Sequence, residues 1–220
     1  MKQLSVETIA RIRSPFTEKF GIPRQPGLAP SIVAEVVLEP EFSRMDAVTG
    51  LEHCTHIWLI FVFSRSVDQG WKPRVRPPRL GGNQKLGVFA TRAPFRPNPL
   101  GLSVVELIDI RMQGKNLVLT VRGADLLDGT PILDIKPYLP YADSVPEARF
   151  ELVDSPKRLD QPVIFSAQAQ SQLDKTQELY PAALPQQIIE LLGCDPRPAY
   201  QNQETRIYGV HLYDLNIRFS

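Results

Sequence analysis

The sequence predicts a mainly β protein, with an antiparallel β-barrel domain over residues 1–150 and a small α+β domain over residues 151–220. Three observations support this class. Proline is abundant, with 21 residues, and it clusters between short apolar and β-branched runs. The first 150 residues lack the regular strand–helix alternation of a parallel sheet. Beyond residue 150, apolar residues recur at helical spacing.

The amino-terminal strands are predicted from apolar runs bounded by proline and glycine. Residues 31–39 are rich in valine, and residues 56–63 (HIWLIFVF) are apolar enough for a strand buried on both faces. Further strands are expected at residues 86–90, 102–110, 117–122 and 132–135. Because proline lacks an N–H group, the clusters between these runs are expected to be loops.

The carboxyl-terminal part is predicted to mix strands and helices. Residues 163–169 are expected to form a strand, followed by a helix that Ser171 and Asp174 would start as a capping box. A second helix is expected to end at Gly193. Residues 206–219 are expected to form a closing strand with alternate apolar side chains on one face.

Charge is distributed unevenly along the chain. The formal net charge is only +1, yet residues 69–105 hold seven Lys and Arg and no Asp or Glu. The other 183 residues carry 18 positive and 24 negative charges. We call residues 69–105 the basic segment. Such a block in an acidic background predicts an anionic partner, and its Arg, Pro and aromatic residues suit RNA.

Two other interpretations of the basic segment stay open. Its cations can pair with carboxylates elsewhere in the chain, which would leave a solvated structural loop. The sequence Arg76-Pro77-Pro78-Arg79 also has the form of a polyproline ligand for an SH3-like domain.

Several functional classes lack their signatures in this chain. No GxGxxG or GxxxxGK[ST] motif occurs, and the longest apolar run is far shorter than the ~20 residues needed to cross a membrane. His53-Cys54-x-His56 is a poor tetrahedral metal site, since His53 would lie on the opposite strand face from the other two. We expect a cytoplasmic protein with reduced thiols, no membrane segment and no metal.

Three ordered motifs resemble the TsaA-like family, in its bacterial TrmO-type branch. They are residues 24–27 (RQPG), residues 87–99 (GVFATRAPFRPNP) and residues 128–138 (DGTPILDIKPY). The resemblance implies an S-adenosylmethionine-dependent tRNA methyltransferase with a β-barrel fold that forms a homodimer. The implied acceptor is the N6 nitrogen of N6-threonylcarbamoyladenosine in the anticodon loop.

The resemblance also implies site residues, each at a matching position of this sequence. Cofactor contacts are expected from Gln25, Pro26, Gly27, Phe63, Ser64, Arg92, Leu102, Asp128, Gly129, Thr130, Pro131 and Ile132. Ser64 replaces the histidine common at this point of the bacterial pattern. We hypothesise that Arg96 and Asn98 act at the acceptor nucleotide, with Arg79, Lys136 and Tyr138 as further substrate contacts. Alternatives are methylation of another acceptor and non-catalytic RNA binding.

Overall fold

The computed structural model describes residues 4–77, 84–152, 158–159, 161–197 and 206–220. Within these ranges most of the regular structure is β, as the sequence predicts. The strands are β1 (Ala10–Arg13), β2 (Val33–Leu38), β3 (His56–Val62), β4 (Arg74–Val75), β5 (Leu86–Gly87), β6 (Leu100–Gln113), β7 (Asn116–Arg122), β8 (Pro131–Pro137), β9 (Tyr208–Leu212) and β10 (Leu215–Phe219). The helices are α1 (Pro140–Asp143), α2 (Ala167–Thr176) and α3 (Leu184–Gly193).

Six strands form one antiparallel sheet that closes on itself. Their order is β1-β2-β7-β6-β3-β8, and β8 pairs again with β1 through Ala10 and Ile132. Alternate side chains of each strand point inward, as in β3, where Ile57, Leu59 and Phe61 are buried. The enclosed side chains form the larger hydrophobic core. All loops at one end of this closed sheet therefore lie close together.

Three local predictions are wrong, each for a local reason. Residues 86–90 form β5 only at Leu86–Gly87 and then a 3-10 helix, Val88–Ala90. Residues 163–169 do not form a strand, because Ser166 accepts a hydrogen bond from the main-chain N of Ala169 at 3.2 Å and so starts α2 earlier than predicted. The closing strand is instead the β9–β10 hairpin, with Tyr213 at φ +57° in its turn.

A second core joins the carboxyl-terminal elements to the long loop between β1 and β2. Helix α3 and the β9–β10 hairpin pack against Phe16, Ala29 and Ile32 of that loop. Glu190 on α3 accepts hydrogen bonds from the main-chain N and the hydroxyl of Ser31, both at 2.8 Å. The loop that carries residues 24–27 is therefore held between the closed sheet and the carboxyl-terminal elements.

Candidate functional site

A small open cleft of about 190 Å³ lies where several strands of the closed sheet end. The β1–β2 loop, the end of β3, the start of β6 and the residues after β7 all contribute to it. Its lining residues are Ile22, Pro23, Arg24, Gln25, Phe61, Phe63, Arg92, Leu102, Ser103 and Asp125. Gln25, Phe63, Arg92 and Leu102 are among the predicted cofactor residues, and the fold brings these four together.

Arg92 connects the basic segment to the β1–β2 loop. Its Nη1 donates a hydrogen bond to Oε1 of Gln25 at 2.6 Å. Arg92 is an exposed residue, and its guanidinium can still donate to an anion because arginine carries five N–H donors. The pair places a cation and an amide at the mouth of the cleft.

The turn after Gln25 is fixed by a close approach of two glycines. The main-chain N of Gly27 donates to the carbonyl oxygen of Gly123 at 2.8 Å, and Gly27 has φ +75°. A Cβ on Gly123 would lie 3.2 Å from the Cα of Gly27. Pro26 and Gly27 lie in this turn, directly beyond the lining residue Gln25. The turn therefore sets where Gln25 points.

The aromatic wall of the cleft depends on a glycine in the neighbouring strand. Gly101 pairs with Phe61, and a Cβ at Gly101 would lie 2.2 Å from the Phe61 ring. Phe61 in turn contacts Phe63 edge-on, with ring centroids 5.1 Å apart. Ser64 follows as the exposed first residue of a 3-10 helix, Ser64–Gln69, beyond the lining residues.

The carboxylate of the cleft belongs to Asp125, which is not among the predicted site residues. Its Oδ1 accepts a hydrogen bond from the hydroxyl of Ser103 at 2.6 Å. Burial raises the pKa of Asp125 to about 6, against the opposing effects of Ser103 and of the Arg92 charge. In the sequence, Asp125 simply precedes the Asp128-Gly129 turn. Only the pairing of the strands brings Ser103 next to it.

The predicted cofactor residues 128–132 lie outside the lining of the cleft. Asp128 accepts a hydrogen bond from the main-chain N of Ser14 at 2.9 Å, and the N of Gly129 donates to the Ile12 carbonyl at 2.9 Å. Thr130 precedes β8, Pro131 and Ile132 are its first two residues, and the side chain of Ile132 is buried in the core. In this chain the segment ties β8 to β1.

The described cations of the basic segment differ from several other cations of the chain in forming no ion pairs. Among the described residues, no Lys or Arg of this segment forms an ion pair, whereas Arg11, Arg13, Arg44, Arg111, Arg122 and Arg197 outside it all do. Lys72 lies over the Phe95 ring at 4.1 Å, and Arg74 donates to the Lys85 carbonyl at 3.2 Å. Intramolecular ion pairing therefore does not account for the segment where it is described.

Arg96 and Asn98 lie in one loop of the basic segment. The Nη1 of Arg96 donates to the carbonyl oxygens of Val88 at 3.0 Å and Thr91 at 2.7 Å. Asn98 is exposed, and its carbonyl accepts from the main-chain N of Leu100 at 2.8 Å. Arg96 thus braces the loop that presents Asn98. Arg79, a predicted substrate contact, lies outside the described residues.

Lys136 and Tyr138 are not brought to the cleft of the same chain. Lys136 pairs with Trp58 and forms an ion pair with Asp134 at 2.8 Å, and the Tyr138 ring lies 5.7 Å from that of Trp58. Phe63 at the cleft lies five residues further along, roughly 17 Å at strand spacing. Lys136, near the end of β8, and Tyr138, just after it, therefore lie beside the first half of β3, away from the cleft.

Within the described ranges, no group of three or more His, Cys, Asp or Glu side chains is arranged to hold a metal ion. No helix in the same ranges is long and apolar enough to cross a membrane.

Two family models match the chain. The tRNA-methyltransferase O N-terminal domain matches residues 11–144, and the TrmO C-terminal domain matches residues 158–220. The tRNA (adenine(37)-N6)-methyltransferase of Escherichia coli K12 is 46% identical over 221 residues, which cover 100% of this chain and 94% of that protein. A putative S-adenosylmethionine-dependent methyltransferase, RcsF, of Pseudomonas aeruginosa is 47% identical over 98% of this chain and 91% of its own length.

Solved structures agree with these matches. A crystal structure of TrmO from Pseudomonas aeruginosa superposes with a TM-score of 0.79 at 42% identity and covers 99% of this chain and 92% of its own. A further crystal structure of TrmO gives a TM-score of 0.80 at 42% identity, with the same coverage.

Proposed function

The chain belongs to the tRNA-methyltransferase O family of S-adenosylmethionine-dependent tRNA adenine-N6 methyltransferases, and from that premise we propose that its acceptor is N6-threonylcarbamoyladenosine beside the anticodon. The observation that supports this function best is the cleft between Gln25, Arg92 and the Phe61–Phe63 wall. A tRNA acceptor also implies a cytoplasmic location.

The cleft has the chemistry that S-adenosylmethionine requires. Phe61, Phe63 and Leu102 offer apolar surface for the cofactor, while Arg92 can bind its carboxylate. When bound, the cofactor supplies an electrophilic methyl group on a sulfonium, which departs as a neutral thioether. The protein must mainly align the acceptor nitrogen with that bond, and alignment alone is worth roughly 7–11 kcal/mol. Stiff Pro-Gly turns suit this task.

The basic segment is proposed to hold the anticodon loop. Its cations lack carboxylate partners in the described part of the chain, so they remain available for phosphates. Asn98 is proposed to contact the acceptor nucleotide from the loop that Arg96 braces, with Arg79, Lys136 and Tyr138 as further contacts. A contact of Lys136 or Tyr138 with the acceptor nucleotide itself is proposed to come from a second subunit, since both residues lie far from the cleft of their own chain.

A homodimer is proposed from the outer surface of the closed sheet. Outward side chains of β3 and β6 face each other in three apolar pairs, Trp58–Val104, Ile60–Leu102 and Val62–Leu100. We call these six residues the outer stripe. Leu102 belongs to both the stripe and the cleft, so a second copy on the stripe would extend the cleft. The cleft of one chain, about 190 Å³, is smaller than the ~300 Å³ at which small-molecule sites begin.

The test is methyl incorporation into tRNA with and without the threonylcarbamoyl group. Purified protein is first titrated with S-adenosylmethionine and then given each tRNA with labelled cofactor. Methylation only of the threonylcarbamoylated tRNA is expected. Cofactor binding with methylation of another acceptor would contradict the proposed substrate, and RNA binding without cofactor binding would favour a non-catalytic module.

A further inference from the structure

Among the described residues that line the cleft, Asp125 is the only one with an acidic side chain. Its neighbours in the lining include two cations, Arg24 and Arg92, and the hydroxyl of Ser103. The carboxylate is held by Ser103 and by its own main-chain N–H. It therefore has a fixed position, and it remains charged at neutral pH because its pKa of about 6 lies below 7.

The surroundings of this carboxylate are largely apolar. Phe61, Phe63 and Leu102 share the cleft with it. Burial raises the pKa of Asp125, so the ionised carboxylate is poorly solvated there. A cation placed beside it would gain more than at an exposed site, since charge interactions strengthen as the local dielectric falls.

We propose that Asp125 is the counter-charge for the sulfonium of the bound cofactor, and that it makes the cleft prefer the methyl donor over the product, whose sulfur is neutral. This inference rests on the proposed function, because it takes the cleft to be the cofactor site. It assigns to Asp125 a selective role that neither the family match nor the sequence motifs supplied.

The polar groups of the cleft favour the sulfonium over the ammonium group of the cofactor as the partner of Asp125. A sulfonium carries charge without N–H donors, so one fixed carboxylate and apolar or aromatic walls satisfy it. An ammonium carries three donors and needs several acceptors. Arg24 and Arg92 cannot accept, and Oε1 of Gln25 already binds Arg92. The hydroxyl of Ser103 is also occupied as a donor to Asp125, so the lining side chains offer fewer good acceptors than an ammonium needs.

The test compares the methyl donor with S-adenosylhomocysteine, which keeps the ammonium and loses the sulfonium. Calorimetric titration of Asp125→Asn is expected to raise the Kd of S-adenosylmethionine tenfold or more and that of S-adenosylhomocysteine less than threefold. The matched control is Asp109→Asn, which removes a half-exposed carboxylate of β6 paired with Arg111. Neither Kd is expected to change in the control.

The wild-type protein provides the same test without a substitution. The pKa of Asp125, about 6, lies within the range from pH 5 to 7.5, so this carboxyl changes from largely protonated to largely charged there. As pH increases across this range, the Kd of S-adenosylhomocysteine divided by that of S-adenosylmethionine should rise in the wild type. In Asp125→Asn this ratio should not change with pH. If Asp125→Asn lowered the affinity for both ligands equally, or lowered neither affinity, the inference would be overturned. A wild-type protein that binds neither ligand would instead refute the proposed function.

Discussion

The guanidinium of Arg92 donates to Oε1 of Gln25 at 2.6 Å, and this contact joins two segments that are 67 residues apart. Arg92 belongs to the basic segment, and Gln25 directly precedes the turn that the contact between Gly27 and Gly123 fixes. The two residues are therefore expected to act as a unit in cofactor binding.

The first prediction is a non-additive effect of Arg92→Ala and Gln25→Ala. Loss of a hydrogen bond to a charged group costs about 1.5–3 kcal/mol, so Arg92→Ala should raise the Kd of S-adenosylmethionine by about tenfold to a hundredfold. Gln25→Ala should raise this Kd by less. The double variant should raise it no more than Arg92→Ala does alone, and titration calorimetry measures all three values. Arg44→Ala, which breaks an exposed pair with Asp46, is the control. Additive losses would show that Gln25 binds independently.

The second prediction concerns pH and stability through Asp125. Its ordinary pKa is 3.8 and its folded pKa is about 6, so between these values the folded protein binds more protons than the unfolded chain. This group therefore lowers stability as pH rises through that interval. At pH 8, Asp125→Asn should unfold at a higher urea concentration than wild type. Its free energy of unfolding should be larger by up to about 3 kcal/mol, because each pH unit between the two pKa values contributes about 1.4 kcal/mol.

At pH 4 the same two proteins should unfold at nearly equal urea concentrations, since Asp125 is then protonated in the folded state. Asp109→Asn provides the comparison, because its carboxylate is half-exposed. A stability gain of Asp125→Asn that is as large at pH 4 as at pH 8 would show that ionisation of Asp125 is not its cause.

The third prediction tests the aromatic wall through Gly101→Ala. The added Cβ would lie 2.2 Å from the Phe61 ring, which must shift within the core and away from Phe63. Overpacking of this kind lowers the free energy of unfolding by about 1–3 kcal/mol. Cofactor affinity should fall as well, because the aromatic wall is displaced. Gly193→Ala at the end of α3 is the control, because a Cβ there meets no atom within 4 Å. Urea unfolding of both variants measures the difference, and equal midpoints would contradict the packing argument.

The sequence was a good guide to strands with strong apolar patterns and a poor guide to residues whose role depends on pairing. Residues 56–63 predict β3, and the helix expected to end at Gly193 is α3 (Leu184–Gly193). The short strand β1 has too weak a pattern to be found without its partners β2 and β8. Val163 and Phe165 resemble strand residues because they are apolar, yet they pack against the second core outside any strand.

The candidate site follows the same rule. Gln25 and Arg92 were predicted from motifs, and the structure places them in contact. Asp125 could not be selected from the sequence, because its significance depends on Ser103, which lies 22 residues away on β6. Lys136 lies in a matching motif as well, but only the register of β3 and β8 shows that it lies far from the cleft of its own chain.

The fourth prediction uses Arg76, an exposed residue of the basic segment, to test RNA binding. If about four cations of the segment contact phosphates, the logarithm of tRNA affinity should fall with that of salt concentration at a slope of roughly −3 to −4. Arg76→Ala should reduce this slope by about 1 and leave cofactor affinity unchanged. Arg44→Ala, outside the segment, should leave the slope as it is. A slope near zero in the wild type would contradict the assignment of the segment to phosphates.

The fifth prediction concerns the outer stripe and the homodimer. Leu100 and Met112 lie on the same strand, β6, and each side chain is 44% exposed, but only Leu100 belongs to the stripe. In a two-fold symmetric interface every substitution occurs twice, so Leu100→Glu would bury two charges in an apolar contact. Light scattering should show Leu100→Glu as a monomer and both wild type and Met112→Glu as dimers. Cofactor affinity should fall in Leu100→Glu because the second copy no longer extends the cleft. If Leu100→Glu were still a dimer, the interface would lie elsewhere.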